Sequence, residues 1–125
     1  MIVQPLIEEI GRTGEFSLML FGSEYSHAVV KRPREGDFRV QEHHGGETRR
    51  CEAPPAGAIE LASSALAAAP QVAVYARVDI IPDDDGTLRI MELELIEPAL
   101  FLSHASDGGS AFVRSVLSAA ERATA

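Results

Sequence analysis

The sequence has little of what a disulfide-linked, secreted, membrane-spanning or nucleic-acid-binding protein needs. Its one cysteine, Cys51, excludes an internal disulfide. The amino terminus has no basic start with a long apolar run, and no apolar run approaches the roughly 18 residues that cross a bilayer. With 11 Lys and Arg against 19 Asp and Glu, the net charge of −8 disfavours nonspecific binding to nucleic acid or to an anionic membrane. We therefore expect a cytoplasmic protein whose partners are small molecules and cations.

What the sequence does contain is the apolar content of one ordinary domain: 46% of its 125 residues are hydrophobic. Runs of aromatic and β-branched residues predict strands, and the Ala- and Leu-rich runs predict helices. The predicted strands are 16–21, 25–31, 38–42, 72–81 and 87–96, and the predicted helices are 56–69 and 110–123. We expect an α+β fold, a mainly antiparallel sheet with both helices on one face and the functional site on the other.

The strongest chemical pattern is a hairpin of charged residues around the turn Asp83-Asp84-Asp85-Gly86. Side chains alternate faces along a strand, so Arg77 and Asp79 share a face on the first strand, and Glu92 and Glu94 share one on the second. A two-residue turn at Asp85-Gly86 would pair Asp79 with Glu92 and Arg77 with Glu94, and a four-residue turn shifts the pairs but keeps the faces.

Three carboxylates, Asp79, Glu92 and Glu94, would then crowd one patch of sheet. Like charges opposite each other across strands repel, and Arg77 offsets only one of them. Magnesium takes one or two carboxylates together with phosphate oxygens, so the pattern predicts a metal and a phosphorylated ligand together. The alternative from the pattern alone is a solvated face of an edge hairpin.

The segment Arg77-Val78-Asp79, followed by Glu92-Leu93-Glu94 and Pro98, resembles the metal-binding segment of the ATP-grasp superfamily, in its branch of glutathione-synthetase-like and cycloserine-biosynthesis-like ligases. The resemblance implies magnesium, or manganese in its place, on Asp79 and Glu92. It also implies that Arg77 steadies the transferring phosphoryl group. Glu94 stands where the family usually has asparagine, so it stays an oxygen ligand but adds a negative charge.

Two other segments resemble the same family. Residues 3–7 resemble the hinge strand that holds adenine through its backbone, which implies contacts at Gln4, Pro5 and Leu6. Glu15 follows as the candidate for the ribose hydroxyls, because a carboxylate accepts their hydrogen bonds.

The basic loop after the second strand resembles the substrate-side loop of the family. Arg39 matches an arginine that approaches the acyl phosphate or the acceptor, and Lys31 falls at a second basic position. Both would supply positive charge to a phosphate or carboxylate.

The histidines and the cysteine carry no predicted chemistry. His43 and His44 adjoin Gly45 and Gly46, but no Cys or His at zinc-like spacing completes a site, and His27 and His104 are interpreted as structural. Cys51 has no evident base partner and is not predicted to be a nucleophile.

The resemblance implies the ATP- and magnesium-binding part of a ligase that joins a small-molecule carboxylate to an amine through an acyl phosphate. It covers the carboxy-terminal half of such an enzyme, so we expect the chain to be one domain, 1–125, inactive alone and completed by an amino-terminal half or by self-association. A noncatalytic metal- or nucleotide-binding module and an interaction protein without a ligand are the alternatives.

Overall fold

The protein is described by a computed structural model that covers residues 1, 3, 5–40 and 45–125. It contains a five-stranded sheet and two α-helices. The strands are β1 (Glu15–Phe21), β2 (Glu24–Arg32), β3 (Glu47–Cys51), β4 (Tyr75–Pro82) and β5 (Leu88–Glu94). The helices are α1 (Ala58–Ala67) and α2 (Ser110–Thr124), and short 3-10 turns occupy Glu8–Gly11 and Leu102–His104.

The sheet is antiparallel at every pairing and has the order β3-β2-β1-β4-β5. β1 lies at its centre, and all seven of its residues are buried. A strand covered on both faces is expected to be continuously apolar, and β1 departs from that rule only at Glu15 and Ser17. The predicted class, an antiparallel α+β fold with two helices, is confirmed.

One face of the sheet forms the main core with α1. Leu18, Val78 and Ile80 are fully buried there and pack against Ala58 and Ala62 of the helix. The two alanines are four residues apart, so they lie on the same side of α1 and let it approach the sheet closely. We call this side the α1 face.

The second helix packs on the opposite face, which corrects the expectation that both helices share one. Phe112 of α2 stacks edge-on against Phe21, with ring centroids 5.5 Å apart, in a separate cluster with Met19. Met19 and Phe21 alternate along β1 with the residues that meet α1, so they point the other way. Because β1 has apolar residues on both faces of the sheet, each face packs against its own helix.

The apolar side of α2 is less buried than its pattern predicts. Phe112 contacts the sheet, and the hydroxyl of Ser115 donates to the carbonyl of Val74 at 2.6 Å. Val113 and Leu117 remain more than half exposed.

The β4–β5 hairpin contains the predicted residue pairs, but a longer loop and a β-bulge together produce them, not the predicted two-residue turn. Arg77 pairs with Glu94 and Asp79 with Glu92, but Pro82 pairs with Leu88. The Asp83 amide donates to the Thr87 carbonyl at 2.8 Å, so the loop is the three residues 84–86, one more than in the two-residue turn. Gly86 supports this loop with a positive φ of 84°. Met91 is the extra residue of a β-bulge that shifts the register back. Without the bulge, Glu92 would face α1.

Two sequence expectations for the loops differ from the structure. Residues 38–40 form no strand, and the rest of that predicted strand, Gln41 and Glu42, lies outside the described residues. The edge strand is instead β3, whose charged sequence lacks the apolar alternation that predicts a strand. The predicted hinge strand is also absent from its described residues, Val3 and 5–7. Within the described ranges, no helix is both long and apolar enough to span a bilayer.

Candidate functional site

Charged side chains gather on the sheet face opposite α1, at the end away from α2. They are the four carboxylates and two cations that we call the charged cluster: Glu15, Lys31, Arg77, Asp79, Glu92 and Glu94. All six are at positions that alternate with core residues of their strands. The structure therefore brings together five of the predicted catalytic and metal-binding residues, and Glu15 joins them.

Asp79 is the centre of the charged cluster. Its side chain is 3% exposed and accepts hydrogen bonds from the Ser17 hydroxyl at 2.6 Å and from Lys31 Nζ at 3.1 Å. Arg77 Nε donates to the same carboxylate at 3.0 Å. A buried carboxylate needs such partners, because burying an unpaired charge costs several kcal/mol, on the order of 3–5.

Arg77 links the two strands of the hairpin. Its guanidinium contacts Glu92 Oε2 at 3.2 Å and also contacts Glu94, in addition to Asp79 beside it. Burial alone would lower the pKa of Arg77, but the attraction of the three carboxylates outweighs burial and raises it. Arg77 is therefore a fixed positive charge.

Lys31 links the second strand to the same group. Its Nζ lies 2.6 Å from Glu15 Oε1 and 3.1 Å from Asp79 Oδ2, and the residue is buried. Burial raises the pKa of the Glu15 carboxyl, Lys31 opposes that rise and Asp79 adds to it. Residue 14, just before β1, has to be a glycine, because a Cβ atom there would lie 2.5 Å from the carbonyl oxygen of Lys31.

The charged cluster retains two uncompensated negative charges when all six groups are ionised, since four carboxylates face two cations. The buried Oε2 atom of Glu94 touches Arg77 but accepts no well-aligned hydrogen bond from the described residues. A divalent cation fits this charge balance and this oxygen donor set.

The cluster is not a ready-made metal cage. Among the residues that the structure describes, no three His, Cys, Asp or Glu side chains converge closely enough to hold a metal by themselves. Arg77 and Lys31 separate the carboxylates instead. Magnesium uses one or two protein carboxylates and completes its shell with water and phosphate oxygens, so a partial site is compatible with it.

A cavity of about 310 Å³ opens beside the charged cluster. Glu15, Lys31, Arg77, Asp79 and Glu92 form its charged wall. The remaining wall comes from residues that the sequence analysis did not single out: Val40, Thr48, Ala99 and Phe101.

A second, apolar cavity of about 370 Å³ lies on the same face and begins at Ile81 and Met91. Two predicted adenine-binding residues, Pro5 and Leu6, line it, and the third, Gln4, lies outside the described residues. The other lining residues are Ile7, Ile10 and Phe38. An apolar slot next to a charged one suits a ligand with a flat ring and an anionic tail.

Arg39 is not brought to the site. Its guanidinium is paired with Asp37, at 2.7 Å, on an exposed loop, and it does not line the charged cavity. This bidentate pair lowers the pKa of Asp37 and raises that of Arg39. His43 and His44 lie outside the described residues.

The chain is similar to a curated protein, the cycloserine biosynthesis protein DcsG of Streptomyces lavendulae. It is 34% identical over 92% of this chain and 40% of its own length. The crystal structure of D-cycloserine synthetase DcsG superposes with a TM-score of 0.73 and 30% identity, over 90% of this chain and 40% of that one.

More distant structures share the fold. D-alanine–D-alanine ligase from Bacillus anthracis, complexed with ATP, has a TM-score of 0.64 at 18% identity, over 90% of this chain and 39% of that one. The ATP-grasp ligase PsnB, complexed with a minimal precursor, has a TM-score of 0.59 at 18% identity, over 90% and 35%. No protein-family model matches. The chain thus spans about two-fifths of the length of these relatives, consistent with a carboxy-terminal half.

Proposed function

The chain is a homologue of DcsG with the fold of the ATP-grasp ligases, and we propose that it is the ATP- and Mg²⁺-binding part of an ATP-dependent carbon–nitrogen ligase. One observation supports this most strongly: Asp79 faces Glu92 across the hairpin, with Arg77 bound to both. Phosphoryl-transfer sites hold a hard cation with one or two carboxylates of this kind, together with phosphate oxygens.

Asp79 and Glu92, with Glu94 beside them, would hold the magnesium ion, or manganese in its place. When bound, the ion supplies positive charge that neutralises the phosphate oxygens of the nucleotide. D-alanine–D-alanine ligase from Bacillus anthracis forms a complex with ATP, and PsnB forms one with Mg and ADP, which supports nucleotide and magnesium use. Glu94 supplies a full negative charge, so the affinity for the metal should exceed that of a site with a neutral amide there.

The apolar cavity is the proposed adenine site. The backbone around Gln4, Pro5 and Leu6 would bind the adenine edge, and Ile81 and Met91 would contact its ring faces. Met91 is the bulged residue, and Glu92 follows it directly, so one short segment would position both the ring and the metal.

The ribose and phosphates would then extend toward the charged cavity. Glu15 is the proposed acceptor for the ribose hydroxyls, and its two oxygens allow it to bind them while it holds Lys31. Lys31 and Arg77 would stabilise the charge on the transferring phosphoryl group. Arg39, in its present pairing with Asp37, would have to change partner to reach an acyl phosphate or acceptor.

The proposed reaction has two steps. The γ-phosphoryl group of ATP moves to a substrate carboxylate, giving an acyl phosphate and ADP. An amine then attacks the acyl carbon, forms the amide bond and releases phosphate. We propose that this polypeptide alone has little or no ligase activity, because about three-fifths of the length of its relatives lies outside the part that it shares with them.

The binding half of the proposal can be tested without turnover. ATP is titrated calorimetrically into the chain with excess MgCl₂, for the unaltered protein, for Glu92→Gln and for Glu121→Gln. Glu121 is exposed on α2 and undergoes the same chemical change, so it is the matched control. We expect saturable binding that Glu92→Gln weakens at least about tenfold and Glu121→Gln leaves unchanged.

The same titration separates the alternatives. Saturable ATP binding without turnover would indicate a noncatalytic nucleotide-binding module, if turnover stays absent after the amino-terminal part of a relative is added. No heat for the unaltered protein, and no effect of Glu92→Gln on stability in magnesium, would contradict the proposal and favour an interaction protein without a ligand.

The partners and location stay predictions. A complementing amino-terminal half, or a second copy of the chain, would cover exposed apolar residues such as Leu6 and Leu117. The substrates are expected to be a small-molecule carboxylate and an amine, in the cytoplasm, with no nucleic acid or membrane involved.

A further inference from the structure

His27 is a buried histidine outside the charged cluster. It lies on β2, on the same face as Val29 and Lys31, and is 5% exposed. Its ring centroid is 6.0 Å from that of Phe21. The strand that supplies Lys31 to the site therefore also carries an imidazole beneath the segment that follows β5.

The hydrogen bonds of His27 assign its tautomer. Nε2 lies 3.0 Å from the carbonyl oxygen of Leu100 and 3.1 Å from that of Phe101. Carbonyl oxygens only accept, so Nε2 carries the proton and donates to both. Nδ1 then accepts from the Ser26 hydroxyl at 2.9 Å. Burial lowers the pKa of His27, and the two carbonyls partly oppose this, so the neutral imidazole is favoured.

The segment that His27 holds contains a strained residue. Phe101 has a φ of 45°, in the left-handed region that a bulky side chain rarely adopts. Such a conformation persists only where surrounding contacts fix it. The donor from His27 is one of these contacts, and the packing of Phe101 against the cluster of Met19, Phe21 and Val29 is another.

The strained residue also forms a wall of the charged cavity. Phe101 and Ala99 line it together with Asp79 and Arg77. A change in the 99–101 backbone would move this wall and alter the room beside the carboxylates. His27 does not line the cavity, so any effect it has on the site must pass through this segment.

We propose that His27 is a positioning residue that fixes the 99–101 segment as the wall of the charged cavity. Its effect on a ligand rests on the proposed function, whereas its hold on the segment can be measured without any ligand.

Two substitutions separate the effect of the hydrogen bond from the effect of a side chain that only fills the space of the imidazole. In His27→Gln the side-chain amide reaches the position of Nε2 and can donate to the two carbonyls. In His27→Asn the amide reaches only the position of Nδ1. Both are polar and smaller than histidine, so a difference between them reports on the donor.

The measurement is hydrogen exchange by NMR on the three proteins. The amide of His104, which donates to the Phe101 carbonyl, reports on the segment, and the amide of Leu61 in α1 reports on the rest of the fold. We expect His27→Asn to speed exchange at His104 about tenfold or more and His27→Gln to stay within about threefold of the unaltered protein. Leu61 should not change in either.

Equal exchange at His104 in all three proteins would overturn the proposal, and so would a parallel rise at Leu61 and His104, which would indicate general destabilisation. A titration with Mg²⁺ and ATP is the second arm, where His27→Asn should bind several-fold more weakly and His27→Gln normally. If the unaltered protein binds no ATP, the proposed function fails and the exchange result still decides the role of His27. If it binds ATP and His27→Asn binds equally well, the link to the cavity is wrong.

Discussion

The two faces of the sheet are built from alternate residues of the same strands, and they differ in what they bury. The α1 face buries Leu18, Val78 and Ile80, whose transfer out of water stabilises the fold. The opposite face, one residue along each strand, buries Ser17 and Asp79, which gain stability only through their partners.

This difference separates folding from function within one sheet. The four carboxylates and two cations, of which Glu15, Lys31 and Asp79 are buried, contribute little to stability for their number, because desolvation of the buried charges opposes the attraction between them. An apolar surface would stabilise the protein more. This contrast supports the proposal that the charged cluster serves a ligand, and the three comparisons below test the contrast in order of expected effect.

The largest effect should come from moving a carboxylate from one face to the other. Deletion of Leu93 places either Glu92 or Glu94 on the α1 face, whichever way the bulge adjusts, and buries an unpaired charge there. We expect loss of cooperative unfolding, or a free energy of unfolding lower by more than about 4 kcal/mol.

Deletion of Met91 is the matched control. It removes the extra residue of the bulge, so Asp79 still pairs with Glu92 and every other side chain keeps its face. We expect a loss of only about 1 kcal/mol, from the lost apolar contacts of Met91. Urea denaturation followed by circular dichroism compares the two, and equal losses would contradict the bulge's role.

A smaller effect should distinguish neighbouring residues on β1. Leu18→Ala leaves a cavity in the core and should lower the free energy of unfolding by about 3 kcal/mol. Ser17→Ala removes one hydrogen bond to Asp79 and should cost about 1 kcal/mol. Urea midpoints at equal slope give both values, and a larger loss for Ser17→Ala would reverse our account of the two faces.

The smallest effect is a pH dependence from His27. Burial lowers its folded pKa below the unfolded value of 6.5, so the native state binds fewer protons than the unfolded state between the two values. Stability should therefore rise with pH through this window and level off above about 6.5. In His27→Gln this pH-dependent contribution to the free energy of unfolding should vanish. Thermal unfolding of both proteins between pH 5 and 8 checks this. A stability difference between the unaltered protein and His27→Gln that shrinks as pH rises would contradict the lowered pKa of His27.

The sequence predicted much of the sheet because its signals are local. The strands beginning at Glu15, Glu24, Tyr75 and Leu88 follow alternation of apolar residues or a hairpin turn, and each formed close to its predicted range. The edge strand Glu47–Cys51 was missed, because an exposed charged edge shows no apolar alternation.

The charged cluster was predicted in part for the same reason. Asp79 and Glu92 converge because strand alternation is a local rule, whereas the bulge at Met91, which keeps them together, leaves no clear mark in the sequence. The ion pair between Lys31 and Asp79 depends on β1 lying between β2 and β4, which no local pattern specifies. The available signal was the two polar residues on one face of an otherwise apolar β1, Glu15 and Ser17.

The side of the sheet that each helix covers also required tertiary information. Both faces of β1 are apolar near Leu20 and Phe21, so the pattern allowed α2 on either. The position of Arg39 was not predictable either, because its pairing with Asp37 depends on the loop conformation.

The most direct test of the central claim is to locate a bound divalent ion. Substoichiometric Mn²⁺ with ATP, added to isotopically labelled protein, broadens the amide NMR signals nearest to the ion. Our account predicts that the signals of Ser17, Asp79 and Glu92 disappear first and that Asp79→Asn abolishes this, whereas Asp84→Asn at the exposed hairpin tip does not. Broadening centred on residues 83–85, or spread evenly over the acidic surface, would contradict it.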